Sequence, residues 1–144
     1  MDYTVFAKDL LKRKLVLETA YEAMSEELCE LESEKTSTVA HNEVNISSKG
    51  TNKSEDRLIN LIYRIDDVKF RRGVVERDLK LIDRGMSALT EYEKDIINGF
   101  FVTETKYAAD KLMEKFYKER TMIYNDRSKA LEKFTRAVYG MISI

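Results

Sequence analysis

Within KFYKERTMIYNDRSKALEKF, residues 115–134, cations alternate with amide, hydroxyl and aromatic side chains at helical spacing. Arg120, Thr121, Tyr124 and Asn125 lie near its start, and Lys118, Arg127 and Lys129 flank them. These groups can both hold and read a polyanion. A guanidinium bonds bidentately to guanine, a carboxamide to adenine, and a threonine methyl can touch thymine. Lysines and further arginines neutralise phosphates and release counterions without reading sequence. The same residues also suit a solvated helix face with ion pairs one turn apart, and residue type alone favours that plainer reading.

Other chemistry is thinly represented. His41 sits in a polar stretch with no second His and no Cys nearby, so a metal site is not expected. Cys29, in SEELCELESE, lacks the electropositive surroundings that lower a thiol pKa. No Gly-rich phosphate loop, serine nucleophile motif or paired catalytic acid stands out, so the expectation is a protein that is not an enzyme and uses no cofactor. The carboxylates between residues 18 and 34 read as a coiled-coil surface rather than as ligands. The Asn-x-Ser sequons at Asn45 and Asn52 are read as chance matches, because the chain shows no secretory route.

The elements that must position residues 118–129 follow from composition and periodicity. A chain of 144 residues fits one domain or a small globular unit with a helical appendage. It has no Pro, no Trp, only five Gly and 35% charged residues, a composition that predicts an all-α fold. A single Cys offers no disulfide framework and fits a reducing compartment. The amino terminus lacks an apolar run of signal-peptide length, and no stretch approaches the roughly 20 apolar residues of a membrane span. A cytoplasmic location with no membrane contact is therefore expected. The net charge of −1 conceals an asymmetry: residues 115–136 hold seven basic residues against three acidic ones, whereas residues 1–35 hold five against nine.

Residues 2–35 read as one helix, with Leu10, Leu17, Met24 and Leu31 seven apart, Tyr21 and Leu28 filling the seam and Lys14 interrupting it. Residues 36–54 are rich in Ser, Thr and Asn, which compete for helical hydrogen bonds, and predict a polar linker. Ser54 would cap the next helix, with Glu55 and Asp56 suited to its dipole. That helix runs to about Met86, with Leu58, Leu61, Ile65, Val68, Val75, Leu79, Ile82, Met86 and Leu89 three and four apart, broken only by Arg72. The two helices can fold back as an antiparallel hairpin, or the same seams can pair between chains. Residues 1–88 are thus read as a helical hairpin or coiled-coil region.

From Leu89 the character changes. Thr90 and Glu93 make a capping box that opens a helix with Tyr92, Ile96, Ile97 and Phe100 on its apolar face. Thr103 or Thr105 would cap a second helix through Leu112 and Phe116. Residues 117–120 form a turn before a last helix carrying Ile123, Ala130, Leu131, Phe134 and Val138. Residues 89–144 are therefore read as a small three-helix bundle whose second and third helices are spaced like a helix-turn-helix. The aromatic residues along 100–139 coincide with its apolar faces and read as core.

Leu89-Thr-Glu-x-Glu, the pair Phe100-Phe101, EKFYKERTMIYNDRSKALEKFT and the terminal Tyr139-Gly140 resemble the carboxy-terminal half of small phage-type transcriptional regulators, the ArpU and RinA group. That half is similar to sigma factor region four, the helix-turn-helix that reads the −35 promoter element. Ile123, Ala130 and Leu131 occupy the family's buried positions, while Glu119 stands where the family usually has the Ser that caps the recognition helix. The resemblance implies a sequence-specific regulator of late or regulatory phage or prophage genes. Double-stranded promoter DNA is then the expected ligand; the amino-terminal helices would contact RNA polymerase or a second copy of the chain, since their seams can pair within or between chains. A last helix lying in a major groove would set Arg120, Thr121, Tyr124 and Asn125 against base edges, and Lys118, Arg127 and Lys129 against the backbone. The rival expectation, from a different class, is a coiled-coil structural or protein-interaction adaptor without autonomous DNA binding.

Overall fold

The single helix expected over residues 2–35 is two helices in the computed structural model, which describes residues 1–44 and 51–144. Helix α1 (Tyr3–Lys12) ends at Arg13, and α2 (Lys14–Val44) continues from it. Asp2 caps α1 by accepting from the Thr4 N–H at 2.9 Å. At the break, the Arg13 guanidinium bonds Asp9 one turn back at 3.0 Å and reaches Asp78 at 3.5 Å. There follow α3 (Thr51–Ser87), α4 (Glu91–Ile97), a π-helical turn (Asn98–Val102), α5 (Ala108–Phe116) and α6 (Arg120–Tyr139). The fold is all-α: no β-strand is present among the described residues, only one isolated bridge between Asp2 and Ser143.

The expected polar linker over residues 36–54 is largely helix, since α2 extends to Val44 and α3 begins at Thr51, before Ser54. Residues 45–50, with the sequon at Asn45, lie outside the described residues. Two of the hydroxyls that argued for a loop are satisfied inside the helix. Thr36 donates to the Glu32 carbonyl at 3.0 Å and Thr38 to that of Glu34 at 2.9 Å, the back-bonding that lets Thr remain helical.

The chain forms two compact units, whose limits fall inside the long helices α2 and α3. One unit is Met1–Glu18 together with Arg77–Ile144. Its larger core joins Ala7, Leu10 and Leu11 of α1 to Ile82, Leu89, Ile97, Phe101 and, from α6, Ala130, Leu131 and Phe134. This explains why the chain's first turns group with its carboxy-terminal helices: Leu11 and Phe134 are wholly buried in one cluster. A smaller cluster holds Ile96, Leu112 and Ile123, with Tyr92 and Phe116 against it. The π-helical turn serves both clusters. Phe101 and Val102 are buried in the larger one, and Phe100 packs against both. Gly85 lets α3 approach α6 closely: a Cβ there would press into the Phe134 ring and lie 2.8 Å from Val138 Cγ2.

The other unit, Thr19–Glu76, is built from α2 and α3 alone. Met24 and Leu31 bury against Leu61, Ile65 and Val68. The helices run in opposite directions, because Arg57 pairs with Glu34 whereas Arg72, further along α3, reaches back to Ser25 and Tyr21. Arg72, the break in the apolar seam, is satisfied there. Its Nε donates to Ser25 Oγ and its Nη2 to Tyr21 Oη, both at 2.9 Å, with the guanidinium 4.7 Å from the Tyr21 ring centroid. A polar group that finds its partners at only one alignment of two helices favours that register.

Candidate nucleic-acid interface

Helix α4 begins with the expected capping box. The Thr90 hydroxyl accepts from the Glu93 N–H at 3.2 Å and the Glu93 carboxylate accepts from the Thr90 N–H at 3.0 Å. Lys133 of α6 reaches the same carboxylate at 3.0 Å, tying the start of α4 to α6. Burial pushes the Glu93 carboxyl up, but the Thr90 donors and Lys133 together outweigh it and hold it below its usual range.

The cap expected from Thr103 or Thr105 does not form. Helix α5 starts at Ala108 after Tyr107, which adopts a left-handed backbone (φ 59°) and supplies no side-chain cap. Thr103 instead donates to the Asn98 carbonyl at 3.0 Å, closing the π-helical turn, and its hydroxyl lies 2.7 Å from that of Thr105. The threonines are spent on ending one helix, so they are not placed to start the next. Tyr117 ends α5 in the left-handed region as well (φ 54°), with its ring almost wholly in solvent. Lys118 and Glu119 complete the connection, and Glu119, extended and without a side-chain cap, precedes α6. A carboxylate at that position favours the helix dipole even without a hydrogen bond.

On α6, Ile123, Ala130, Leu131 and Phe134 are buried, which fixes the opposite face. Thr121, Asn125 and Lys129, successive at four-residue spacing, are exposed along that open face. Arg136 is exposed on the same line and escaped the sequence reading, although spacing along the helix could have found it. Arg120 is exposed at the edge, where its guanidinium pairs with Asp110 of α5 at 2.5 Å. The remaining residues fold back onto the domain. Tyr124 is half-buried, with its ring centroid 5.7 Å from that of Phe100. The Arg127 guanidinium lies 5.0 Å from the Phe100 centroid and 4.8 Å from that of Tyr124, a cation–π contact with both. Lys118 sits 4.0 Å above the Tyr92 ring and 3.4 Å from Asp126.

A polar network thus underlies the open face. Tyr92 donates to Asp126 at 2.6 Å, and its ring meets Phe116 edge-on at 4.7 Å. The Tyr92 hydrogen bond, with help from Lys118, holds the Asp126 carboxyl below its usual range, while burial and the same carboxylate push the Tyr92 phenol up. Asp110 and Asp126 were invisible as partners in the sequence, because one lies on another helix from its cation and the other pairs mainly with a tyrosine 34 positions away. An open cleft of about 550 Å3 borders Arg120 and Tyr124, lined also by Phe100, Tyr107 and Asp110.

Among the described residues, no cluster of His, Cys, Asp or Glu could hold a metal ion, and no helix is long and apolar enough to cross a membrane. Comparison with known protein families, curated proteins and solved structures finds no match to the chain.

Proposed function

We propose that this protein is a sequence-specific DNA-binding transcription regulator of phage type, with α5, the connection at 117–119 and α6 acting as its helix-turn-helix. The observation that carries the reading is the row of Thr121, Asn125 and Lys129 along the open face of α6, with Arg120 at its edge. In a major groove, the first turns of α6 meet base edges and its later cations meet phosphates. Asn125 and Arg120 are the base readers in this reading, Thr121 supplies a methyl and hydroxyl, and Lys129 and Arg136 neutralise backbone. Tyr124, Arg127 and Lys118 act one layer behind, holding α6 against its neighbours through the aromatic stack and the Tyr92–Asp126 network. RNA polymerase at a late or regulatory promoter is the partner that the family resemblance suggests.

The test is selection of bound duplexes from a random DNA pool, followed by titration of the enriched sequence against a scrambled one. Asn125→Ala is expected to cost about 1–3 kcal/mol at one position of the enriched motif. Asp110→Asn, which releases Arg120 from its ion pair, is expected to tighten binding. Absence of enrichment, with both variants indistinguishable from the parent, would refute the reading in favour of a protein-interaction adaptor.

A further inference from the structure

The unit formed by residues 19–76 leaves one side of its helix pair apolar and open. Phe70 on α3 is 72% exposed, and Val74, one turn later, is 39% exposed. Beside them runs an open groove of about 620 Å3, floored on the α2 side by Ala20 and Ala23. The groove exists because small side chains on α2 stand level with a large one on α3. A protruding aromatic ring and a recess of small residues therefore share one face, a combination that marks an interaction surface.

We propose that the partner of this face is a second copy of the same chain. A twofold axis parallel to the helices sets α3 of each copy on α2 of the other, making an antiparallel four-helix arrangement. That operation carries each Phe70 ring onto the Ala20 and Ala23 recess of its partner. The charges at the rims agree with it. Glu27 lines the groove on α2 and Arg71 lines it on α3, so the same axis brings the acid of each copy to the base of the other. Arg71 is half-exposed and bonded within its own helix to Asp67 at 3.0 Å, so it can turn to an intermolecular carboxylate without leaving a buried charge behind. A foreign apolar helix would fill the recess equally well but would have no use for opposite charges at exchanged rims.

Sedimentation of the full chain over a range of concentrations tests the proposal. A reversible monomer–dimer equilibrium is expected, weakened more than about thirtyfold by Phe70→Glu. Ala23→Glu, at an exposed position, is expected to weaken it likewise while helicity by circular dichroism is unchanged. Glu27→Arg and Arg71→Glu each weaken association alone, and an equimolar mixture of the two variants associates more tightly than either by itself. A parent chain that stays monomeric overturns the proposal and leaves the groove to a different protein. Dimers insensitive to Phe70→Glu and Ala23→Glu overturn it too, since they would form through another face.

Discussion

Asp126 shows how one side chain both supports the candidate interface and sets its response to acid. Its carboxylate accepts from Tyr92 and faces Lys118, and these contacts depress its folded pKa below that of a free aspartate. A group with a depressed folded pKa contributes stability that is fully present above its unfolded value, near 4, and is lost as pH falls through the folded value. Glu93, also depressed by its cap and by Lys133, adds to the same acid-side loss. Chemical denaturation of the parent should thus give a stability that is level between about pH 5 and pH 9 and declines below about pH 4. Asp126→Asn should be less stable near neutrality, by about 1 kcal/mol, and should show a shallower decline in acid. An unchanged acid limb in the variant would mean that the Tyr92–Asp126 bond does not persist in solution. Because Arg127 and Lys118 are held by aromatic rings and carboxylates, charge alone identified them as cations but not as inward ones.

At the scale of elements, two glycines in α3 carry opposite expectations for the same substitution. Gly73 has nothing within 4 Å of where its Cβ would stand, so Gly73→Ala gains only helix propensity. It should stabilise the protein by about 0.5–1 kcal/mol. Gly85→Ala gains the same propensity but drives a methyl into Phe134 and Val138. Overpacking of this kind costs about 1–3 kcal/mol and outweighs the gain. Thermal unfolding of the two variants checks the pair, and stabilisation by Gly85→Ala would contradict the close α3–α6 approach. The sequence marked neither glycine as special, since both lie inside one continuous helical pattern. The Thr90–Glu93 box was legible for the opposite reason: its partners are three residues apart and act on each other's backbone. Thr103 and Thr105 misled as caps because a π-helical turn, which no local propensity announces, consumed their hydroxyls.

For the whole molecule, a net charge of −1 argues against strong nonspecific affinity for DNA. The proposed interface presents few exposed cations, chiefly Lys129 and Arg136 with Arg120 after its release from Asp110. Binding to an enriched duplex should therefore weaken with salt at a slope of about −2 to −3 in log–log terms for each copy bound. Titration at several salt concentrations measures it. A much steeper slope would place additional phosphate contacts outside α6. A second copy would double the interface and so raise the specificity that so small a basic excess can support.

The sequence by itself determined the helical class, the apolar seams, the capping box and the buried positions of α6, because each depends on residues within a few turns of one another. It could not determine how those seams are shared. Leu10 and Leu17 continue the same heptads as Met24 and Leu31, yet the first two pack with the carboxy-terminal helices and the last two with α3. Periodicity reports that a face is apolar, not what covers it. The break at Arg13, the helical run through residue 44 and the pairing of Arg120 with Asp110 were likewise decided only by tertiary structure. Each depends on side chains brought together by packing rather than by spacing along the chain.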